Sequence, residues 1–136
     1  MSKQQGNLRQ RAESLTEQIA VNRTLATGEF LFREGDFKTH LYRVESGCVC
    51  MYALAGRTTE PFLEFAYGGD WMGFGYLERH VWRARVIGRS VVSCFPRTMV
   101  NVLIDHDARA RAALHNSLHR EFALVQQTTA TPAKRH

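Results

Sequence analysis

Residues 40–52 read His40-Leu41-Tyr42-Arg43-Val44-Glu45-Ser46-Gly47-Cys48-Val49-Cys50-Met51-Tyr52. Two apolar runs lie on either side of the Ser46-Gly47 turn, and in each run the larger apolar side chains recur at every second position. That period places them on one face of a β-strand. Because a glycine-containing turn separates the runs, we predict neighbouring antiparallel strands over residues 40–44 and 49–54.

Similar runs continue on both sides of this stretch. From Gly28 to Pro96, segments rich in Val, Tyr, Phe and Trp are interrupted by glycines at short intervals. Further strands are predicted over residues 60–67, 81–87 and 91–95, and Pro96 marks the end of the sheet. Short strands with frequent turns are typical of a sandwich or barrel, so the predicted fold class is mainly β.

Helical spacing appears at both ends of the chain. Four apolar residues near the N-terminus lie three or four positions apart: Leu8, Ala12, Leu15 and Ile19. They predict a helix that ends before Thr24, and a longer helix is predicted from Asp107, a good N-cap residue. The predicted organisation is therefore a tail and helix (1–24), a β-roll (25–106), a long helix (107–127) and a flexible tail (128–136).

An apolar stripe follows the predicted long helix. Its members also lie three or four positions apart: Ala110, Leu114, Leu118, Phe122 and Val125. Two interpretations remain open. Either the stripe packs on the β-roll, or Leu114, Leu118, Phe122 and Val125 pair with the same helix of a second subunit and form a dimer interface.

The composition is that of one globular domain. The chain has 136 residues, of which 44% are hydrophobic and 23% are charged. Its net charge of +5 favours phosphate groups, but the basic residues are scattered, so we expect no direct binding to nucleic acid. No apolar run is long enough to span a membrane, and the polar N-terminus does not read as a signal peptide. The three cysteines are expected to be free thiols in the cytoplasm.

Four short motifs occur in a characteristic order. They are Gly-Glu-Phe-Leu-Phe-Arg-Glu-Gly-Asp (28–36), Leu-Tyr-Arg-Val-Glu-Ser-Gly-Cys-Val (41–49), Gly-Asp-Trp-Met-Gly (69–73) and Val-Val-Ser-Cys-Phe-Pro (91–96). Together they resemble the sensor domain of Crp/Fnr-type regulators, a cyclic nucleotide-binding-like domain. The resemblance covers residues 25–127.

The resemblance implies a double-stranded β-helix, or jelly roll, with flanking N- and C-terminal helices. It implies that the C-terminal helix mediates dimerisation. In complete regulators of this family a helix-turn-helix module follows that helix and reads the major groove of DNA. The sequence ends at His136, which leaves no room for such a module, so no direct DNA binding is expected.

The resemblance also places a phosphate-binding cassette at residues 73–85. The candidate ligand-binding residues are Gly73, Phe74, Gly75, Trp82, Arg83, Ala84 and Arg85. Family members carry a Glu directly after the first cassette glycine, where it accepts the ribose hydroxyl. Phe74 has no acceptor, so the cassette is atypical. The implied ligand is a cyclic nucleotide or another anionic small molecule.

Two orientations of the second half of the cassette remain open. Arg83 and Arg85 share one face of a strand, and Trp82 points to the other face. If Trp82 faces inward, its ring fills the pocket. If Arg83 faces inward, a phosphate site remains.

No catalytic or metal-binding arrangement is recognisable in the sequence. Cys48 and Cys50 lack the spacing of a zinc site, and His115 and His119 share a helical face without an obvious third ligand. We therefore expect a non-catalytic regulatory domain that forms homodimers. The first alternative is a ligand-free interaction protein that forms heterodimers with longer Crp/Fnr regulators, and the second is a cupin-type metal protein.

Overall fold

The computed structural model describes residues 20–53 and 63–130, with side chains up to residue 126. Within these residues the chain forms eight strands: β1 (Val21–Leu25), β2 (Phe30–Phe32), β3 (His40–Ser46), β4 (Val49–Tyr52), β5 (Leu63–Ala66), β6 (Trp71–Met72), β7 (Arg83–Val86) and β8 (Ser90–Pro96). A 3-10 turn (Arg97–Met99) leads into helix α1 (Val100–His106) and then into the long helix α2 (Ala108–Ala130).

The strands form two antiparallel sheets with orders β1-β8-β3-β6 and β2-β7-β4-β5. Their inner faces share one apolar core, in which Val44 and Val92 of the first sheet join Val49 and Val86 of the second. Apolar side chains that alternate along each strand therefore meet between the sheets. The predicted mainly β, jelly-roll fold is confirmed.

The predicted pairing of residues 40–44 with 49–54 is wrong. Strand β3 pairs with β6 and β8, whereas β4 pairs with β5 and β7 in the other sheet. The chain changes sheets at Gly47, whose φ of +91° and close approach to Arg89 and Ser90 leave no room for a side chain. Alternation specifies the buried face of each strand but not its neighbours, and placing the two strands in opposite sheets buries both Val44 and Val49 completely.

The β-roll begins earlier than residue 25. Residues 21–24, expected at the end of a helix or tail, extend along β8 with Asn22 opposite Ser93 and Thr24 opposite Val91. The helical spacing stops at Ile19, so pairing with β8 decides the conformation of residues 21–24. The rest of the predicted N-terminal helix, residues 8–19, lies outside the described residues, as do residue 54 and residues 60–62 of the predicted strands.

Helix α2 starts where the sequence predicts. The Asp107 carboxylate accepts N–H groups from Arg109 (2.9 Å) and Ala110 (3.1 Å), and its second oxygen accepts the Trp71 indole N–H at 3.0 Å. The cap therefore also attaches the helix to β6. The helix continues to Ala130, three residues beyond the predicted end, while residues 131–136 lie outside the described part. No helix of the described residues is long and apolar enough to cross a bilayer.

The apolar stripe of α2 is buried at the start of the helix and becomes more exposed toward its C-terminus. Ala110 is fully buried and Leu114 packs on the second core cluster, but Leu118, Phe122 and Val125 are 37%, 59% and 39% exposed. A spacing of four advances about 40° around a helix at each step, so the stripe winds away from the sheets. The first half of the stripe therefore packs on the β-roll, Leu118, Phe122 and Val125 are partly exposed, and pairing with a second subunit stays a prediction.

Candidate functional site

The loop between β6 and β7 carries the first half of the predicted cassette. Gly73, Phe74 and Trp82 line one enclosed cavity beneath this loop. Its volume is about 10 Å³, which is room for about one water molecule. Phe74 is 3% exposed and lies 6.0 Å from the Trp71 ring, whereas Trp82 packs on the core between the sheets. The two large rings thus take up the space beneath the loop.

The second half of the cassette lies on β7, where alternate residues face opposite ways. Ala84 is fully buried in the core between the sheets. Arg85 points outward, donates its Nε–H to the Gly28 carbonyl at 2.9 Å and stacks over the Phe30 ring at 5.4 Å. Arg83 lies on the same face as Arg85 and is half-buried. The structure thus adopts the orientation with Trp82 inward, and ligand binding by Arg83 or Arg85 stays a prediction.

Two charged residues that sequence reasoning missed lie on the same cavity. Lys38 comes from the connection between β2 and β3, and Glu121 comes from α2. Their side chains form an ion pair in which the exposed fractions are only 2% and 1%. The backbone holds Lys38 against the cassette, because its N–H donates to the Glu78 carbonyl at 2.8 Å. Full burial of both charges makes this pair unlike an ordinary surface salt bridge.

The Glu121 carboxylate also binds the cassette loop directly. One oxygen pairs with Lys38, and the other accepts the backbone N–H groups of Tyr76 (2.9 Å) and Leu77 (3.0 Å). We call these three donors, the Lys38 ammonium and the N–H groups of Tyr76 and Leu77, the anion site. A Cβ at Gly75 would collide with both Lys38 and Glu121, and the Gly75 φ of +152° disfavours any side chain.

Arg97 fixes the opposite side of the loop. Its guanidinium donates to the carbonyls of Gly75 (3.3 Å) and Leu77 (3.5 Å). These long hydrogen bonds hold the carbonyls toward the arginine, while the neighbouring N–H groups point toward the carboxylate. Adjacent N–H groups in a glycine-rich turn, together with a cation, form an arrangement that binds anionic oxygens.

His80 is a third buried polar residue beneath the cassette, on the same cavity as Lys38 and Glu121. It is 4% exposed and stacks on Phe32 with ring centroids 3.7 Å apart. Burial, with the nearby Lys38 ammonium, lowers the pKa of His80 to about 4, so the ring is neutral at pH 7. Its Nε2 has no hydrogen-bond partner within the described part of the chain. Burial also lowers the pKa of Lys38, against the opposing effect of Glu121.

The outer surface next to the anion site is apolar. A groove of about 370 Å³ is lined by the Tyr76 ring and by residues of α2, among them Leu118 and Phe122. His115 and His119 lie at its edge with ring centroids 5.8 Å apart. Tyr76 therefore contributes to both places: its N–H donates to Glu121, and the residue, 49% exposed, lines the groove beside the predicted dimer interface. In the described residues no group of three or more His, Cys, Asp or Glu side chains is arranged to hold a metal ion.

Comparison with known proteins identifies the type of domain. The family model described as "cyclic nucleotide-binding domain" matches residues 22–107, which include the cassette and Lys38 but not Glu121. A comparison with curated protein sequences found no significant match.

Several solved structures share the fold. FixK2 from Bradyrhizobium japonicum aligns with a TM-score of 0.59 at 19% identity, over 80% of this chain and 55% of that protein. The catabolite activator protein of Thermus thermophilus gives 0.62 at 19% identity, over 88% and 59%. The sensor domain of the transcriptional regulator DNR from Pseudomonas aeruginosa gives 0.53 at 18% identity, over 88% and 73%. The chain thus corresponds to little more than half the length of the first two proteins.

Proposed function

Since this chain belongs to the cyclic nucleotide-binding domain family, we propose that it is a non-catalytic sensor domain of a Crp/Fnr-type regulator. In this role it binds an anionic small molecule at the cassette of residues 73–85 and transmits occupancy to α2. We also propose a cytoplasmic location, which the three unpaired thiols support.

One observation carries this proposal: the cassette loop already binds an anionic group. The N–H groups of Tyr76 and Leu77 and the Lys38 ammonium converge on a carboxylate. A phosphate presents the same kind of anionic oxygen, at similar distances from its donors. The donor set thus supports an anionic ligand even though Phe74 offers no acceptor to a ribose hydroxyl.

Calorimetric titration with cyclic AMP and cyclic GMP tests the proposal. We expect micromolar binding by the natural protein and at least a tenfold loss in Lys38→Met, because one charge-assisted hydrogen bond contributes about 1.5–3 kcal/mol. Arg89→Ala, which removes an exposed cation near the end of β7, is the matched control and should bind normally. The double variant Arg83→Ala/Arg85→Ala tests separately whether these two arginines contribute to nucleotide binding. Absence of binding to both nucleotides would count against a nucleotide sensor.

We further propose that the domain forms a homodimer through Leu114, Leu118, Phe122 and Val125. Leu118, Phe122 and Val125 form an apolar strip along α2 with exposures of 37%, 59% and 39%, and Leu118 and Phe122 line the groove with Tyr76. Exposed apolar strips are commonly covered by a second subunit. Leu118→Ser should lower the dimer fraction in sedimentation equilibrium. Val102→Ser, on α1, is its matched control, because Val102 is also 37% exposed but lies outside the strip.

A specific observation favours a second candidate function. The cavity of about 10 Å³ is far smaller than a nucleotide, as expected for a ligand-free interaction protein that pairs with a longer regulator. Co-expression with a full-length Crp/Fnr regulator distinguishes the two. Mixed dimers together with no calorimetric signal would favour this candidate, whereas nucleotide binding would favour the sensor.

A further inference from the structure

The residue that fills the anion site comes from the helix that would have to respond to a ligand. Glu121 is 1% exposed, although Leu118 and Phe122 on the same helix are 37% and 59% exposed. An acidic residue usually occupies the exposed face of such a helix and an apolar residue the buried face. Here the order is reversed, and the buried carboxylate needs the Lys38 ammonium and the two loop N–H groups as partners.

The loop is shaped around this carboxylate. Gly75 leaves the space through which Glu121 approaches, and Arg97 holds the neighbouring carbonyls away from it. All three donors of the anion site point to the two carboxylate oxygens. With a remaining cavity of about 10 Å³, a second anionic group has no room beside Glu121.

We propose that Glu121 is an internal ligand of the cassette: it competes with the anionic small molecule for the anion site and, while bound, holds the second half of α2 against the loop. This inference rests on the proposed sensor function. A ligand that enters the anion site must displace the Glu121 carboxylate, since two anions cannot share the three donors.

Displacement of Glu121 would directly affect the predicted dimer interface. Glu121 lies next to Phe122 in the sequence, and Tyr76 contributes both an N–H to the anion site and a ring to the groove beside Leu118 and Phe122. Release of the carboxylate therefore changes the packing of the cassette loop and of the exposed strip together. The competition supplies the differential contact that a ligand needs to shift a two-state helix.

The first test needs no external ligand. Amide hydrogen exchange by NMR compares the natural protein with Glu121→Gln, which keeps the shape but removes the charge. We expect the Tyr76 and Leu77 amides to exchange about tenfold faster in the variant, because a neutral acceptor binds N–H groups more weakly than a carboxylate does. Unchanged exchange of both amides would overturn the proposal.

Glu64→Gln is the matched control. Glu64 pairs with Arg120, which neighbours Glu121 on α2, and so also attaches the helix to the β-roll, but outside the anion site. Tyr76 and Leu77 should exchange in this variant as in the natural protein. If Glu121→Gln fails to fold, Lys38→Met/Glu121→Leu removes both buried charges at once and should give the same faster exchange.

The second test measures competition, with cyclic AMP and sodium pyrophosphate as probes. Pyrophosphate distinguishes binding of the anionic group alone from binding that needs a nucleoside. Glu121→Gln should bind whichever probe the protein accepts about tenfold more tightly than the natural protein, because no carboxylate has to leave. Equal or weaker binding by the variant would overturn the competition.

The two tests separate the inference from the proposed function. If neither the natural protein nor Glu121→Gln binds any probe, the sensor function fails for these ligands. Amide exchange then decides alone whether Glu121 holds the cassette as its internal ligand.

Discussion

Two ion pairs of opposite character attach α2 to the β-roll, one at its start and one past its middle. Near its start, Arg109 pairs with Asp70, and the two side chains are 58% and 35% exposed. Further along, Glu121 pairs with Lys38, and the exposed fractions are 1% and 2%. The charges are the same in kind, but water can replace a partner only at the exposed pair. Burial, not charge, therefore determines how much each attachment contributes to stability.

The physical reason is the loss of water around buried charges. A charge removed from water must recover its solvation from neighbouring groups, and Glu121 does so through Lys38, Tyr76 and Leu77. Arg109 and Asp70 both stay in contact with water, and their attraction is screened by salt. Four predictions test this contrast, beginning with the largest expected effect.

Glu121→Ala should lower the free energy of unfolding by about 3–5 kcal/mol, because it leaves the buried Lys38 ammonium without its carboxylate. Urea denaturation monitored by circular dichroism measures the change. Lys38→Met/Glu121→Leu, which removes both charges, should recover most of the loss. If the double variant is as unstable as Glu121→Ala, the loss comes from the shape of the site rather than from its charge.

Acid should destabilise the region around the buried ion pair, because His80 lines the same cavity as Lys38 and Glu121. The unfolded chain takes up this proton near pH 6.5, whereas the folded protein takes it up only near pH 4. The stabilisation by neutral His80 is therefore complete above about pH 6.5 and falls by about 3 kcal/mol as the pH approaches 4. The groups around the ring are Lys38, Arg97 and Asp36, of which the two cations lower its pKa and Asp36 raises it.

Urea denaturation from pH 7.5 to pH 4 measures this dependence, and His80→Phe provides the reference. Phe keeps the stacking on Phe32 but does not titrate, so the variant should lose less stability in that range. Parallel curves for the two proteins would show that His80 is not responsible.

Gly75→Ala should destabilise the protein by about 3 kcal/mol, since the new Cβ meets Lys38 and Glu121 and the backbone conformation is strained. Gly35→Ala is the matched control: its φ is +92°, but nothing lies within 4 Å of the new Cβ. Only strain remains there, about 1 kcal/mol. Thermal denaturation of both variants measures the difference, and equal losses would mean that crowding of the anion site contributes nothing.

Arg109→Ala should have the smallest effect, about 0–1 kcal/mol, because the exposed pair gains little over its hydrated state. The Tyr67 N–H donates to Asp70 at 2.9 Å without involving Arg109, so the turn before β6 should stay closed in this variant. Urea denaturation at low and high salt measures both the effect and its screening. A loss comparable to that of Glu121→Ala would remove the contrast between the two ion pairs.

Much of the fold was predictable because its signals are local. Period-two alternation located the strands, and Asp107 marked the start of the long helix. Pairing was not predictable in the same way: the turn at Gly47 connects two sheets instead of two neighbouring strands. The orientation of a strand depends on its own side chains, but its neighbours depend on the whole chain.

The candidate site was predicted only in part. The sequence predicts a cassette at residues 73–85, whose ligand binding stays a prediction, and the structure places Gly73, Phe74 and Trp82 around one cavity. Lys38 and Glu121 were not predicted, because in the sequence each looks like an ordinary charged residue on an exposed face. Glu121 is polar and so does not belong to the apolar stripe of α2. Positions 110, 117 and 121 nevertheless lie within about 40° of one another, on one face of the helix.

By itself the sequence determined the alternation of the strands, the cap of the long helix and the motifs that identify the family, because each depends on residues close together in the chain. Only the tertiary structure decided that Lys38 meets Glu121, 83 positions away, and that both meet the loop at Tyr76 and Leu77. A buried charge is stable only with partners, and folding alone determines which segments bring those partners to it.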